Sequence, residues 1–162
     1  MKRKLLLSAI FILAAISLSA LSYIAARISS TSFAISTVEK CGGGVSDGSS
    51  YIEGPSFVTF NIPGLKRPIR NSDASDIAKA LSSFVALDVV DFSDTEIGDE
   101  FIEEISKGVR CHEIRISRTR CTERAVFILA KDHSCERIRA TGVDISPDVS
   151  RQVIELDVEV LK

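Results

Sequence analysis

Three segments of the chain stand in register with a period of 24: Leu87-x-x-Val90-x-Phe92-x-x-Thr95-x-Ile97, Cys111-x-x-Ile114-x-Ile116-x-x-Thr119-x-Cys121, and Cys135-x-x-Ile138-x-Ala140-x-x-Val143-x-Ile145. Every fixed position is apolar or threonine. Self-similarity at such a period means a stack of small units, each too short to bury its own apolar face alone. Residues at alternate positions of a strand share a face, so Val90 and Phe92 predict a short parallel strand with two inward side chains. A turn follows, and then a helix starting at Gly98, Thr122 or Ser146, all acceptable N-cap residues. Pro147, directly after Ser146, sits where proline is favoured. The helices place Phe101 and Ile105, Ala125 and Leu129, and Val149 and Val153 four residues apart on one inward face.

Upstream, Phe57-x-x-Phe60-x-Ile62 carries the strand signature again, at a longer step from Leu87 than the period allows. The extra length is expected as a loop insertion in Pro63-Gly64 to Pro68. A helix over about 75–84, with Ile77 and Leu81 inward, completes a degenerate first unit. At the other end, Leu156 to Val160 alternates apolar and acidic residues and ends on Leu161, which predicts a closing strand. A longer last helix is the alternative, because Val149, Val153, Leu156 and Val160 also share a helical face.

Leu5 to Ala26 is an unbroken run without a charge, preceded by Lys2-Arg3-Lys4. At about 1.5 Å per residue it is long enough to cross a hydrocarbon core. A cleaved signal peptide and an uncleaved signal-anchor are both open. The small-residue sites Ser17-Leu18-Ser19 and Ala20-Leu21-Ser22 lie inside the run, which favours the anchor over secretion after cleavage. Either way the basic start is expected to stay in the cytoplasm and the remainder to be exported, giving a single-pass membrane protein. Arg27 to Lys40 either continues this helix or forms a separate one, and Cys41-Gly42-Gly43-Gly44 stops it. Val45 to Ile52 is expected to form a cap strand interrupted by Asp47-Gly48. The expected organisation is an anchor over 1–26, a juxtamembrane helix and Gly/Ser linker over 27–50, and a repeat domain over 51–162.

Together these features resemble single-pass, membrane-anchored leucine-rich-repeat proteins of bacteria. The residues that carry the likeness are the helix Ala34 to Lys40, the pair Gly42-Gly43, and the units Thr95/Ile97 and Thr119/Cys121. The resemblance implies an α/β fold: a short leucine-rich-repeat solenoid with parallel strands on its concave face and helices on its convex face. It also implies protein binding rather than catalysis. Cysteine replaces the first leucine twice, and Val143 replaces the threonine. A polar side chain there bonds backbone groups of neighbouring turns, so the stack is expected to loosen at Val143.

Charged residues make up 26% of the chain with a net charge of −2, which excludes the basic footprint of a nucleic-acid binder. Glycines 42–44 lack the spacing of a phosphate loop, and no paired-carboxylate or serine-triad pattern occurs. No cofactor, metal or small-molecule substrate is expected. Cys111 and Cys135 occupy the same place in successive units. They are read as small core residues replacing leucine, with a disulfide between them as the alternative. Cys111 and His112 are neighbours on a strand, so their side chains diverge.

The outward strand positions are Val89, Asp91, Ser93, then Glu113, Arg115, Ser117, then Arg137, Arg139, Thr141. Asp91, Glu113, Arg115, Arg137 and Arg139 are the candidate partner-binding residues for an unidentified protein. The pairs Asp91–Arg115 and Glu113–Arg137 are opposite in sign, and a parallel closing strand would add Asp157 beside Arg139. A ladder that only keeps the sheet soluble is the competing reading, and the absence of aromatic residues argues for it. The register itself is testable: Ile114→Asp buries a charge between two units and costs several kcal/mol. Loss of the cooperative urea transition is the expected outcome, and a cooperatively folded variant contradicts the assigned register.

Overall fold

A computed structural model describes residues 2–46, 56–61, 68–84 and 87–161. The chain is α/β. Helix α1 (Lys2–Lys40) leads into β1 (Gly44–Val45) and β2 (Phe57–Thr59). A 3-10 turn, Asn71–Asp73, opens α2 (Ala74–Ser82), followed by β3 (Val89–Asp91), α3 (Asp99–Ser106), β4 (Cys111–Arg115), α4 (Glu123–Lys131), β5 (Cys135–Arg139), α5 (Pro147–Glu155) and β6 (Glu159–Leu161). The strands form one six-stranded sheet in chain order, parallel from β2 to β6, with β1 antiparallel at one edge. Each helix packs on its neighbour in sequence, so the helices form one layer, and no helix among the described residues covers the other sheet face.

The period read from the sequence becomes the strand register. Val90, Ile114 and Ile138 lie opposite one another, flanked by Val58 and Val160. Val58, Val90, Ile114 and Ile138 have no exposed surface. A second buried row holds Phe60, Phe92, Ile116 and Ala140. In it the Phe60 and Phe92 rings stack at 5.0 Å, and Phe101 meets Phe92 edge-on at 5.2 Å. Backbone bonds continue past the strands: the Phe92 N–H donates to Arg115 C=O at 2.8 Å and the Ile116 N–H to Arg139 C=O at 2.9 Å. The turns repeat as well. Asp94, Arg118 and Gly142, one period apart, all adopt left-handed backbone with φ of 59°, 55° and 89°.

Helix starts follow the expected capping. Thr122 accepts the Arg124 N–H and Ser146 accepts the Val149 N–H, with Pro147 in the first turn of α5. Ile77, Leu81, Phe101, Ile105, Ala125, Leu129 and Val153 are buried, whereas Val149 is only partly so. A further device ties successive helices together. The first residue of α3, Asp99, accepts both the Thr122 N–H (2.8 Å) and its hydroxyl (2.7 Å). Glu123, first in α4, accepts the Ser146 N–H at 2.8 Å.

Four sequence expectations change. The first unit is displaced by two residues: Val58, not Phe60, aligns with Val90, and Phe60 takes the place of Phe92. Ring stacking of Phe60 on Phe92 selects this register; Ile62 and the expected insertion at 63–67 lie outside the described residues. The threonine hydroxyls bond within their own turn, Thr95 to Phe92 C=O (2.6 Å) and Thr119 to Ile116 C=O (2.8 Å). At Val143 the backbone N–H makes the equivalent bond to Ala140 C=O at 3.0 Å, so the turn keeps its closure without a hydroxyl. The closing strand starts at Glu159, because α5 runs to Glu155 and the chain reverses through Asp157 at φ 60°. Glu159 therefore sits beside Arg137, and Leu161, not Asp157, beside Arg139.

The fourth change concerns α1, which takes the continuous form of the two expected but does not end as a juxtamembrane linker. Its last turns belong to the core: Thr31, Ala34 and Val38 have no exposed surface, and Cys41 is buried. It ends in a Schellman arrangement, with Gly43 N–H bonding Val38 C=O (2.8 Å) and Gly42 N–H bonding Glu39 C=O (3.0 Å). Gly42 supplies the left-handed φ of 86°. Gly43 is required for a different reason: a Cβ there would lie 2.6 Å from the Phe60 ring and 2.7 Å from Val38. Of the cap strand expected over 45–52, only Val45 falls in β1, which starts at Gly44 and pairs with β2, and residues 47–52 lie outside the described residues. Gly43→Ala is expected to cost about 1–3 kcal/mol through overpacking. Urea denaturation of the full chain in detergent checks this, and an unchanged midpoint would remove α1 from the core.

Candidate interaction surface

On the bare sheet face the strand register builds two columns. One runs Phe57, Val89, Glu113, Arg137, Glu159; the other runs Thr59, Asp91, Arg115, Arg139, Leu161. Each arginine thereby faces an acid on an adjoining strand or in the adjoining column. Glu113 is the hub. Its Oε1 accepts from Arg115 Nε at 2.6 Å and from Arg139 Nε at 3.2 Å, while Oε2 lies 3.7 Å from Arg137 Nη1. Arg137 Nε also donates to Glu159 at 2.6 Å, and Arg115 approaches Asp91 at 3.8 Å. Three arginines and three carboxylates thus form one neutral network.

The network is graded in exposure. The Glu113 side chain is 6% exposed, against 29% for Arg115, 36% for Arg137 and 46% for Arg139. Burial alone would push the Glu113 carboxyl up. The hydrogen bond and charge of Arg115, reinforced by Arg139, outweigh it and hold the carboxyl below its ordinary value. A carboxylate satisfied by several charge-assisted bonds fixes the arginine planes, so their outer edges are preorganised. Isolated exposed ion pairs contribute little, about 0–1 kcal/mol, and the hub differs because its acid is shielded from water.

All five sequence-predicted residues, Asp91, Glu113, Arg115, Arg137 and Arg139, come together in this network. Two members are additional. Glu159 joins because Val160, rather than the Lys162 that the period would select, enters the Ile138 row. Phe57 joins because of the two-residue shift of the first unit, and Arg115 Cζ lies 5.7 Å from its ring centroid. The face therefore does carry an aromatic residue, which corrects the sequence expectation. Ser93 and Ser117, expected to be outward, are buried; Ser117 Oγ accepts the Thr141 N–H at 3.1 Å.

A cavity of about 470 Å³ at the strand starts is lined by residues including Arg110, Cys111, His133, Cys135 and Glu136. Cys111 and Cys135 lie opposite each other with their thiols unbridged, so the disulfide considered between them is not formed in this structure. Burial raises the Cys135 thiol to about 12 and the Cys121 thiol to about 11. Burial, and then the neighbouring Cys135, also raise Cys111. Protonated thiols are poor nucleophiles and poor metal ligands. His112 turns away, with Nδ1 2.8 Å from Glu136. Among the described residues no group of three metal-ligating side chains converges.

No protein-family model matches this chain, and a search of curated proteins finds no match either.

Two measurements follow from these environments. Glu113 has a depressed folded-state pKa, so its contribution is fully present above the ordinary carboxylate range and is lost as pH falls through the folded value. Glu113→Gln is expected to cost about 1–3 kcal/mol at pH 7, with the gap to wild type closing as the pH is lowered. A gap that persists at low pH contradicts the ionised hub. In alkylation at pH 8, the native Cys111, Cys121 and Cys135 thiols are expected to react at least tenfold more slowly than in urea; equal rates would contradict their raised pKa values.

Proposed function

We propose that this chain is a non-enzymatic protein-interaction module: a short leucine-rich-repeat solenoid held at a membrane through α1 and displayed outside the cytoplasm. The observation that carries the binding reading is the set of half-exposed guanidinium edges of Arg137 and Arg139, fixed from beneath by Glu113, on a face whose β2 edge carries Phe57 against Arg115. Arginine and aromatic side chains on a rigid sheet are the residue types that dominate protein interfaces. Their fixed geometry suits a partner presenting carboxylates or backbone carbonyls.

The solenoid reading is supported by the recurrence of register, buried rows and left-handed turns at intervals of one period, with each unit among the described residues packing on its neighbours. The membrane reading is supported by α1, whose segment Ile12–Lys40 is long and apolar enough to span a bilayer. Ile12, Leu13, Ile16, Leu18 and Leu21 on it are each at least 60% exposed.

Photo-crosslinking in native membranes tests the binding reading. A crosslinking residue at Leu161, beside Arg139 on the sheet face, is expected to capture a discrete species that one at Arg124, on the helix layer, does not. The double variant Arg137→Gln, Arg139→Gln is expected to lower that capture at least fivefold. Equal capture from both faces, or no effect of the double variant, rejects this face as the site. A second reading has its own support in the neutrality of the network: the ladder fixes strand register and the module is structural. A defined anchor-dependent oligomer in detergent, with no crosslink from position 161, is the outcome that favours it.

A further inference from the structure

Helix α1 contains no glycine or proline between Lys2 and Lys40. Its 39 residues, at about 1.5 Å each, make a rod of about 58 Å. One end of that rod is core. Thr31, Ala34 and Val38 are fully buried, and the turn at Gly42-Gly43 clamps the helix end onto Phe60. The other end is the apolar run that stops at Ala26, exposed from Ile12 onward. Between Ala26 and Thr31 lie four residues, so the step from one to the other is about 7.5 Å along the axis. A headgroup layer is about 5–8 Å thick on each side of the hydrocarbon. A rod that fills the hydrocarbon with residues 5–26 leaves no length for a flexible spacer.

The topology shows which part of the domain lies lowest. Strand β1 runs against β2, and α1 turns directly into β1, so α1 runs against α2. The end of α2, at Ser82 and Ser83, therefore lies level with the point where α1 enters the domain. The groove between the two helices agrees, with Ser30 and Phe33 on one wall and Ala80 and Ser83 on the other. Phe33 is 65% exposed there.

Arg27 marks the boundary. It directly follows the apolar run and shares a helical face with Thr31, Ala34 and Val38, so it lies in the angle between the anchor and the domain. Its Nε and Nη2 atoms are shielded from water, and they have no hydrogen-bond partner among the described residues. A guanidinium in that state gains strongly from an anionic oxygen partner, and a phosphodiester matches its fork.

We propose that α1 and the domain form one rigid body that seats the α2 end of the domain in the phospholipid headgroup layer, with Arg27 reaching a lipid phosphate. This rests on the membrane reading above, and the experiment separates the two. The chain has no tryptophan, so Ser82→Trp gives a single reporter on the domain away from α1. The full chain is reconstituted in vesicles of phosphatidylcholine and phosphatidylglycerol carrying nitroxide-labelled headgroups. Strong quenching is expected, falling at least threefold when five Gly/Ser residues are inserted between Arg27 and Ile28, while both forms float with the vesicles. Native mass spectrometry is expected to show phosphatidylglycerol retained by the chain and lost at least fivefold in Arg27→Gln, with 10 mM inorganic phosphate unable to displace it. Flotation without quenching, or quenching indifferent to the insertion, overturns the rigid seat and spares the anchor. No retained lipid, or retention unchanged in Arg27→Gln, overturns the role of Arg27, and displacement by phosphate overturns a lipid source. Failure to float overturns the membrane reading itself.

Discussion

Parallel strands cannot be joined by a tight turn, so each must wait for a helix to carry the chain back to its starting edge. In this protein that return takes one full period twice in succession, and the Val90, Ile114 and Ile138 row is the result. A slip of one residue would turn every inward side chain to the bare face and every arginine to the core. The buried row and the ionic columns are therefore two consequences of a single register. Thermodynamically the inward row dominates, since its side chains are fully buried while most of the ion pairs remain in contact with water.

That register also explains how charge is managed on the bare face. Alternation puts Glu113 between Val89 and Arg137 in one column, and beside Arg115 and Arg139 in the next. Three guanidinium groups can then reach one carboxylate without distorting the backbone. An acid at this position without them would be a buried, uncompensated charge. The outer edges of the arginines are what is left over for recognition, and their orientation is inherited from the hub.

The central units were legible in the sequence because the period was unbroken and the inward residues were strongly apolar. The first unit was not, because Phe60 fits either inward slot, that of Val90 or that of Phe92, and Val58 is as apolar as the position it takes. Only a tertiary contact, the stacking of Phe60 on Phe92, distinguishes them. The last strand was misplaced for a similar reason. Val160 takes the place in the Ile138 row that the period would assign to Lys162, and the left-handed turn at Asp157 that shortens the path carries no glycine to announce it. The five charged residues of the site were visible as outward positions of adjacent units. The burial of Glu113 was not, since it depends on three arginines converging from two strands. The core role of Thr31, Ala34 and Val38 was hidden too, because small residues at the end of a membrane-length apolar run look like its continuation.

Cross-strand nuclear Overhauser effects test the register most directly. Backbone contacts are expected between Val90 and Ile114 and between Ile114 and Ile138, with Val58 opposite Val90 and Val160 opposite Ile138. Contacts displaced by one or two residues, or Ile114 lacking either neighbour, would contradict the account and dissolve the charged surface built on it.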